Sequence, residues 1–273
     1  FAQGKGVIFF GAHCGCFELA PQVLAEVFGP QHGPLTAIYR PARQPSLAAV
    51  ELATRQRPFV TLLPASLSAI KAMHKALKAG RAVGLLADQV PPEGLGIWAP
   101  FFGKPAYTMT LAARLALQNG AALVPVTCER LPKGRGYIVK EHRAQPAWPI
   151  PLGLWPLQKA KAGNRKKGRD LTSLSHWTSQ LLTRSGILFM RLLALLPLRL
   201  VRLAGHVFGW VLYGLVRSRR RVAIVNLTLC FPELSKQAIH GLARQSFIYF
   251  AQAWLDRSWV WHAPRSWILR RVT

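Results

Sequence analysis

Short apolar runs alternate with longer amphipathic stretches through the first half of the chain. Each run is rich in Val, Ile, Leu or Phe and is bounded by Gly, Pro or a charge, which is typical of a buried β-strand. The predicted strands are GVIFF, TAIYR, FVTLLP, AVGLLAD and ALVPVTCE. The predicted helices between them are ELAPQVLAEVF, PSLAAVELATR, SLSAIKAMHKALKAG and TMTLAARLALQNG. This alternation predicts an α/β fold with a mostly parallel central sheet flanked by helices.

The pattern changes after about residue 145. The next stretch is rich in Pro, Trp and Lys and has no period, so residues 146–185 are predicted to be a linker or an aberrant segment. Residues 187–221 are strongly apolar but interrupted by Arg, and residues 233–260 read as a long helix. The sequence therefore predicts three regions: an α/β core at 1–145, the segment 146–185, and a helical, membrane-associated region at 186–273.

The polar residues within 187–221 fall on one side of the predicted helix, at 100° per residue. This stripe consists of Arg191, Arg199, Arg202 and His206. Pro197 is predicted to kink the helix, and the longest uninterrupted apolar stretch is shorter than the ~20 residues that a spanning helix needs. Such a helix favours the plane of the membrane interface, where the RSRRR run at 217–221 would meet lipid phosphates. A buried core helix with a solvated edge is the alternative.

The charge balance narrows the class of partner. The chain has 273 residues, of which 36 are Lys or Arg and 10 are Asp or Glu, giving a net charge of +26. Such an excess fits a nucleic acid or an anionic membrane surface. Nine tryptophans and a mean hydropathy of +0.18 favour the membrane. Because no nucleic-acid-binding motif is present, we expect no nucleic-acid partner.

The cysteines and the first residue bear on compartment and completeness. The four cysteines have neither disulfide nor zinc-ligand spacing, which predicts a reducing compartment and no metal site. The chain starts with Phe1 rather than Met, so we expect it to be a fragment or a processed product.

The stretch GVIFFGAHCGCFELA, residues 6–20, offers three kinds of chemistry. A zinc site needs about four ligands, and no second ligand cluster lies nearby. A thiol nucleophile needs a base beside it, but neighbours on a strand face apart, so we expect Cys14 and Cys16 to pack under a turn. The third possibility is a pair in which the Glu18 carboxylate accepts a hydrogen bond from His13 and leaves the other ring nitrogen as a general base. The alternative is a core histidine beside a helix-N-terminal glutamate.

Five blocks of sequence, in order, resemble one family. They are AHCGCFEL, YRP at 39–41, GLLADQ at 84–89, PFFGKPAYTMT at 100–110 and ALVPV at 122–126. Together they resemble the lipid A biosynthesis acyltransferases, the late acyltransferases of the Gram-negative inner membrane. These belong to the glycerolipid-acyltransferase-like group, which has an H-x4-D/E motif. The resemblance covers residues 1 to about 145.

A sixth block lies out of order. RRRVAIVNLTLCFPELS at 219–235 resembles the amino-terminal region of the same family, which precedes the H-x4-E region there and follows it here. Three explanations stay open: a circular permutation, a junction of two tandem acyltransferases, and a reading-frame error that fused them.

The resemblance implies a reaction and a set of site residues. The reaction is transfer of an acyl chain from an acyl carrier protein thioester to a hydroxyl of a lipid A precursor, without a cofactor or metal. The implied catalytic pair is His13 and Glu18. Implied substrate-binding residues are Arg40, Asp88, Phe101, Phe102 and Gly103, of which the last three would shape an acyl-chain channel. Each has a structural alternative: a solvated strand-end charge for Arg40, a helix or turn cap for Asp88, and core or turn packing for the other three.

The resemblance also implies partners and a location. These are acyl carrier protein, a lipid A precursor and an anionic membrane surface, at the cytoplasmic face of the inner membrane. Two alternatives remain open for the function: a glycerophospholipid acyltransferase, and a catalytically inactive membrane-binding chimera. A nucleic-acid binder is a further alternative, and it predicts binding that weakens steeply with salt.

Overall fold

The computed structural model describes residues 1, 4–42, 45–142, 174–264 and 266. The greater part of the predicted linker, residues 146–173, lies outside the described residues. The strands are β1 (Val7–Gly11), β2 (Leu35–Tyr39), β3 (Val60–Pro64), β4 (Ala82–Leu86), β5 (Gly96–Phe101), β6 (Lys104–Met109), β7 (Ala122–Arg130) and β8 (Tyr137–Glu141). The helices are α1 (Ala20–His32), α2 (Pro45–Arg55), α3 (Leu67–Lys78), α4 (Leu111–Asn119), α5 (Leu174–Leu195), α6 (Leu198–Leu215), α7 (Arg217–Cys230) and α8 (Lys236–His262). A 3-10 turn lies at Pro132–Gly134.

The predicted α/β sheet is confirmed. Six strands form one sheet in the order β3-β2-β4-β1-β7-β8, and all neighbouring pairs are parallel except β7 with β8. Strand β1 is central and is buried on both faces: Ile8 packs with α3 and α4, whereas Val7 and Phe9 pack with α1. A strand buried on both faces reads as a continuous apolar run, which explains why GVIFF was recognisable in the sequence.

A separate two-stranded hairpin was not predicted. Strands β5 and β6 pair antiparallel, with Gly96 opposite Met109 and Phe101 opposite Lys104. The TMT segment was predicted to begin a helix, but Thr108 and Met109 end β6, and α4 starts at Leu111 after Thr110. The side chains of β6 are exposed or half-buried, and the helical period of the apolar residues that follow masked the boundary in the sequence.

The helical region packs directly on the α/β unit. Leu198 and Val201 of α6 join Trp259 and Val260 of α8 in one buried cluster with residues from the sheet side. The sheet-side members are Cys16, Leu19, Cys128 and Tyr137. The two regions thus share a core, although 32 residues, numbers 142–173, separate β8 from α5 in the sequence.

The predicted break at Pro197 is confirmed, since α5 ends at Leu195 and α6 begins at Leu198. Helix α5 begins at Leu174, earlier than the predicted boundary at 186. The polar stripe serves an intramolecular contact at Arg202, which is 9% exposed. Its guanidinium donates to the carbonyls of Leu131 and Gly136 and lies 5.2 Å from the centre of the Tyr137 ring. Within the described ranges no helix has the length and apolar character to cross a bilayer.

Close approach of α6 to α8 depends on small residues. A Cβ on Gly209 would lie 2.4 Å from the Cα of Ile248, closer than any real contact, whereas a Cβ on Gly214 of the same helix would meet nothing within 4 Å.

We therefore predict opposite effects for two substitutions in α6. Gly214→Ala should raise the free energy of unfolding by about 0.5–1 kcal/mol, because Ala has the higher helix propensity. Gly209→Ala should lower it by about 1–3 kcal/mol, because α8 must move away. Urea denaturation followed by far-ultraviolet circular dichroism measures both. A stabilising Gly209→Ala would contradict the observed packing.

Candidate active site

The first site residue follows the central strand. His13 comes two residues after the end of β1, and Asp88 comes two residues after the end of β4. These strands are parallel neighbours with Gly11 opposite Leu86, so the two side chains meet at the carboxyl edge of the sheet. His13 Nδ1 lies 2.7 Å from Asp88 Oδ1, and the backbone N–H of His13 donates to Oδ2 at 2.8 Å. One carboxylate therefore fixes both the ring and the backbone of His13.

The hydrogen bond with Asp88 determines which nitrogen of the His13 ring carries the proton. Burial raises the pKa of the Asp88 carboxyl, but the hydrogen bonds from the His13 backbone and ring outweigh it and hold the pKa below its usual value. An ionised carboxylate has no proton to donate, so Nδ1 of His13 is the donor. Nε2 is then the basic nitrogen, and it has no hydrogen-bond partner among the described residues.

The predicted hydrogen bond between His13 and Glu18 is not formed. The Glu18 carboxylate instead accepts two hydrogen bonds from Arg55, with Nε to Oε2 at 3.0 Å and the terminal nitrogen to Oε1 at 2.6 Å. Arg257 of α8 lies 3.7 Å from the same Oε1. The reason is local: residues 15–19 form a turn, which faces Glu18 toward α2 and α8 and leaves His13 at the sheet edge.

The environment of Glu18 is a compact charge cluster. The Arg257 guanidinium lies 4.5 Å from the centre of the Trp254 ring and 5.8 Å from that of Phe17. Burial lowers the pKa of Arg257, while the Glu18 carboxylate acts in the opposite direction. For Arg55, burial also opposes the charged form, but Glu18 outweighs it and raises the pKa. Both guanidinium groups stay charged.

Hydrogen bonds with strand β7 hold the turn at residues 15–19 in place. The backbone N–H of Cys16 donates to the Cys128 carbonyl at 3.0 Å. Gly15 has φ +61°, and a Cβ there would lie 1.9 Å from the same carbonyl oxygen, so only glycine fits. Arg130, the last residue of β7, donates to the Gly15 carbonyl at 2.8 Å and forms an ion pair with the fully buried Asp256 of α8.

A large cleft opens beside these residues. Its volume is about 2130 Å³, and its lining includes His13, Glu18 and Arg40. Arg40 follows β2, the strand on the other side of β4, so three adjacent strands contribute their carboxyl ends to the site. The lining also includes further basic residues, among them Arg55, Lys133, Arg199 and Arg257. Apolar residues also line it, among them Ile38, Leu62, Met109 and Leu111. A mixed basic and apolar cleft with a free imidazole nitrogen suits an anionic, lipid-like substrate.

Comparison with known proteins identifies the family of the chain. Residues 1–145 and 169–273 match the family model described as bacterial lipid A biosynthesis acyltransferase. The chain belongs to this family.

One curated relative is the lipid A biosynthesis lauroyltransferase of Escherichia coli (strain K12). It is 33% identical over 137 residues, which are 50% of this chain and 42% of the relative. The aligned part thus spans less than half the length of that protein.

The structure places the residues that the sequence assigned to the site in two different regions. His13, Glu18 and Arg40 line one cleft, and Asp88 holds His13. Phe101, Phe102 and Gly103 do not line it; they lie at the tip of the β5–β6 hairpin. Phe101 is 59% exposed and Phe102 is 53% exposed. The centres of the Phe102 and Phe231 rings lie 5.1 Å apart.

Four functional contacts were not predicted from the sequence. They involve Arg55, Arg130, Asp256 and Arg257. Asp256 carried one usable signal, because it is one of only three acidic residues after position 150 and lies within an apolar, aromatic helix. A lone carboxylate in such a setting needs a buried cation.

The two thiols of the motif differ, contrary to the expectation that both pack under a turn. Cys16 is buried with Cys128, but Cys14 is exposed. The hydrogen bond with Cys128, and then burial, raise the pKa of Cys16 well above the ordinary thiol value. No group of three or more potential metal ligands occurs in the part of the chain that the structure describes.

We predict selective alkylation of the folded protein. Iodoacetamide should modify Cys14 at least about 10²-fold faster than Cys16 or Cys128, because the thiolate is the reactive form and the latter two are buried. Peptide mass spectrometry after timed quenching measures the rates, and alkylation in urea is the control in which all thiols should react. Equal native rates at Cys14 and Cys16 would contradict the described turn.

Proposed function

We propose that this chain transfers an acyl chain from an acyl carrier protein thioester to a hydroxyl of a lipid A precursor. Membership of the family supports this class of reaction. The observation that carries the mechanism is the His13–Asp88 contact of 2.7 Å at the edge of the basic cleft. Asp88, rather than Glu18, acts on the imidazole in this mechanism.

The proposed reaction is a direct displacement. Nε2 of His13 takes the proton of the acceptor hydroxyl as its oxygen attacks the thioester carbonyl carbon. A C–O bond forms, the C–S bond breaks, and the imidazolium returns the proton to the departing thiolate. Asp88 keeps the proton on Nδ1 and stabilises the imidazolium while it exists, as a buried carboxylate does in hydrolase triads. No covalent acyl-enzyme is required.

Arg40 is the proposed anchor for substrate phosphate. It lies at the cleft after β2, is exposed, and has no hydrogen-bond partner or ion pair among the described residues. A guanidinium binds phosphate with two parallel hydrogen bonds. Lys133 and Arg199, which line the same cleft, add positive charge for an acidic carrier protein or a lipid phosphate.

The proposed location is the cytoplasmic face of the inner membrane, with the helical region on the lipid surface. Apolar residues that are at least half exposed lie on α5 and α6: Leu188, Phe189, Leu192, Leu195, Leu200, Leu203, Val207 and Leu215. The RSRRR run at 217–221 follows directly. Apolar side chains beside cations are the composition of an interfacial surface on anionic lipid.

The test is acyl transfer by the purified full chain on mixed phospholipid vesicles containing a lipid A precursor, with an acyl carrier protein thioester as donor. His13→Ala should lower kcat/KM by about 10²–10⁴-fold, since it removes the general base. Asp88→Asn should lower kcat by at least about 10²-fold, since the His13 ring is then no longer held in the tautomer that carries its proton on Nδ1.

The control for both variants is His240→Ala, an exposed histidine outside the cleft lining. It should retain wild-type turnover. Undiminished transfer in His13→Ala would refute the assignment of the base. An inactive wild type, tested with both carrier-protein and coenzyme A thioesters, would refute the proposed function.

A further inference from the structure

Two consecutive residues of α8 reach the turn that carries the catalytic motif. Asp256 contacts Arg130, which in turn holds the Gly15 carbonyl. Arg257 lies 3.7 Å from Glu18. The turn from His13 to Glu18 is thus contacted from a helix that lies more than 200 residues later in the sequence.

The Asp256 contact is deeply buried. The carboxylate is 0% exposed, and the side chain of Arg130 is 11% exposed. Moving a lone carboxylate into such surroundings is strongly unfavourable, so Asp256 requires the positive charge of Arg130 beside it. Because Asp256 holds the Nε side of the guanidinium, a terminal nitrogen of Arg130 is directed at Gly15. The geometry of the turn therefore depends on α8.

The Glu18 contact joins three elements. Its carboxylate, 9% exposed, binds Arg55 at the end of α2 and approaches Arg257 of α8. Arg55 also lies 3.6 Å from Glu51 on its own helix. Both carboxylate oxygens of Glu18 therefore bind guanidinium groups. The ring of His13 is hydrogen-bonded to Asp88 instead.

We infer that Glu18 and Asp256 are positioning residues, two carboxylates that lock the turn bearing His13 against α8 through Arg55, Arg257 and Arg130. The helical region completes an active site that the sheet begins. The glutamate of the H-x4-E motif acts on arginines, not on the imidazole. This inference rests on the proposed function for its effect on turnover, but its structural part is independent of it.

The experiment uses the full chain and four variants: Asp88→Asn, Glu18→Gln, Asp256→Asn and Arg257→Gln. The matched control is Arg244→Gln, because Arg244 is also an α8 arginine over a tryptophan, Trp210 at 4.6 Å. Arg257→Lys tests rescue, since it restores the charge without the planar guanidinium.

Two measurements report on the structure without requiring activity. Nitrogen-15 NMR of the His13 ring should show the Nδ1–H tautomer in the wild type and in Glu18→Gln, and a changed tautomer population in Asp88→Asn. Hydrogen–deuterium exchange of the amides of residues 13–19 should be faster in Glu18→Gln, Asp256→Asn and Arg257→Gln. Exchange in β1 and β4 should stay as in the wild type, which separates local release from global unfolding.

In the transfer assay the three turn-releasing variants should lower kcat by up to about 10²-fold, with little change in KM, since misplacing the base by about 1 Å has that effect. Arg257→Lys should recover part of the loss, and Arg244→Gln should match the wild type. If Asp256→Asn fails to fold, Arg130→Lys tests the same contact, because lysine keeps the charge beside Asp256 but lacks the second guanidinium nitrogen that donates to the Gly15 carbonyl.

Two results would overturn the inference. One is a Glu18→Gln protein whose His13 tautomer changes as it does in Asp88→Asn, because Glu18 would then act on the ring directly. The other is unchanged exchange of residues 13–19 in both α8 variants. An inactive wild type would count against the proposed function alone, and the tautomer and exchange measurements would still decide the inference.

Discussion

The parallel pairing of β1 with β4 is the constraint on which the site depends. Ile8 and Val83 are opposite each other in this pair, and both are fully buried. A change of register would expose or misplace both, so packing fixes where each strand ends. His13 and Asp88 follow those ends and meet for that reason. Strand β2, on the other side of β4, brings Arg40 to the same edge.

The carboxylates of three residues form the ion pairs and hydrogen bonds that stabilise this site. The chain has 10 acidic residues against 36 basic ones. Asp88 binds His13, Glu18 binds Arg55, and Asp256 binds Arg130. Each partner offsets the desolvation of a buried or half-buried carboxylate. The basic residues left along the cleft give it a positive potential, which fits the anionic substrates that we propose.

The helical region and the sheet share a core without a short chain connection between them. The family model matches residues on both sides of the segment 146–168. Helix α8 reaches the motif by side-chain contacts rather than by chain connection, and such contacts place no requirement on which region comes first in sequence.

The sequence by itself determined the elements whose signal is local. Continuous apolar runs identified the buried strands, helical periods identified most of the helices, and Pro197 marked a break because it has no N–H to donate. The sequence also located His13 at a strand end. It paired that histidine with Glu18, the nearest carboxylate along the chain, because spacing is the only distance a sequence contains.

Only the tertiary structure determined which carboxylate forms a hydrogen bond with His13. Asp88 lies 75 residues away, and its place beside His13 follows from the order of strands in the sheet. The same holds for Arg202 of the polar stripe, whose carbonyl acceptors lie in the connection between β7 and β8, far away in the sequence. Side-chain contacts between distant segments arise from how elements pack, and periodicity within one element carries no information about its neighbours.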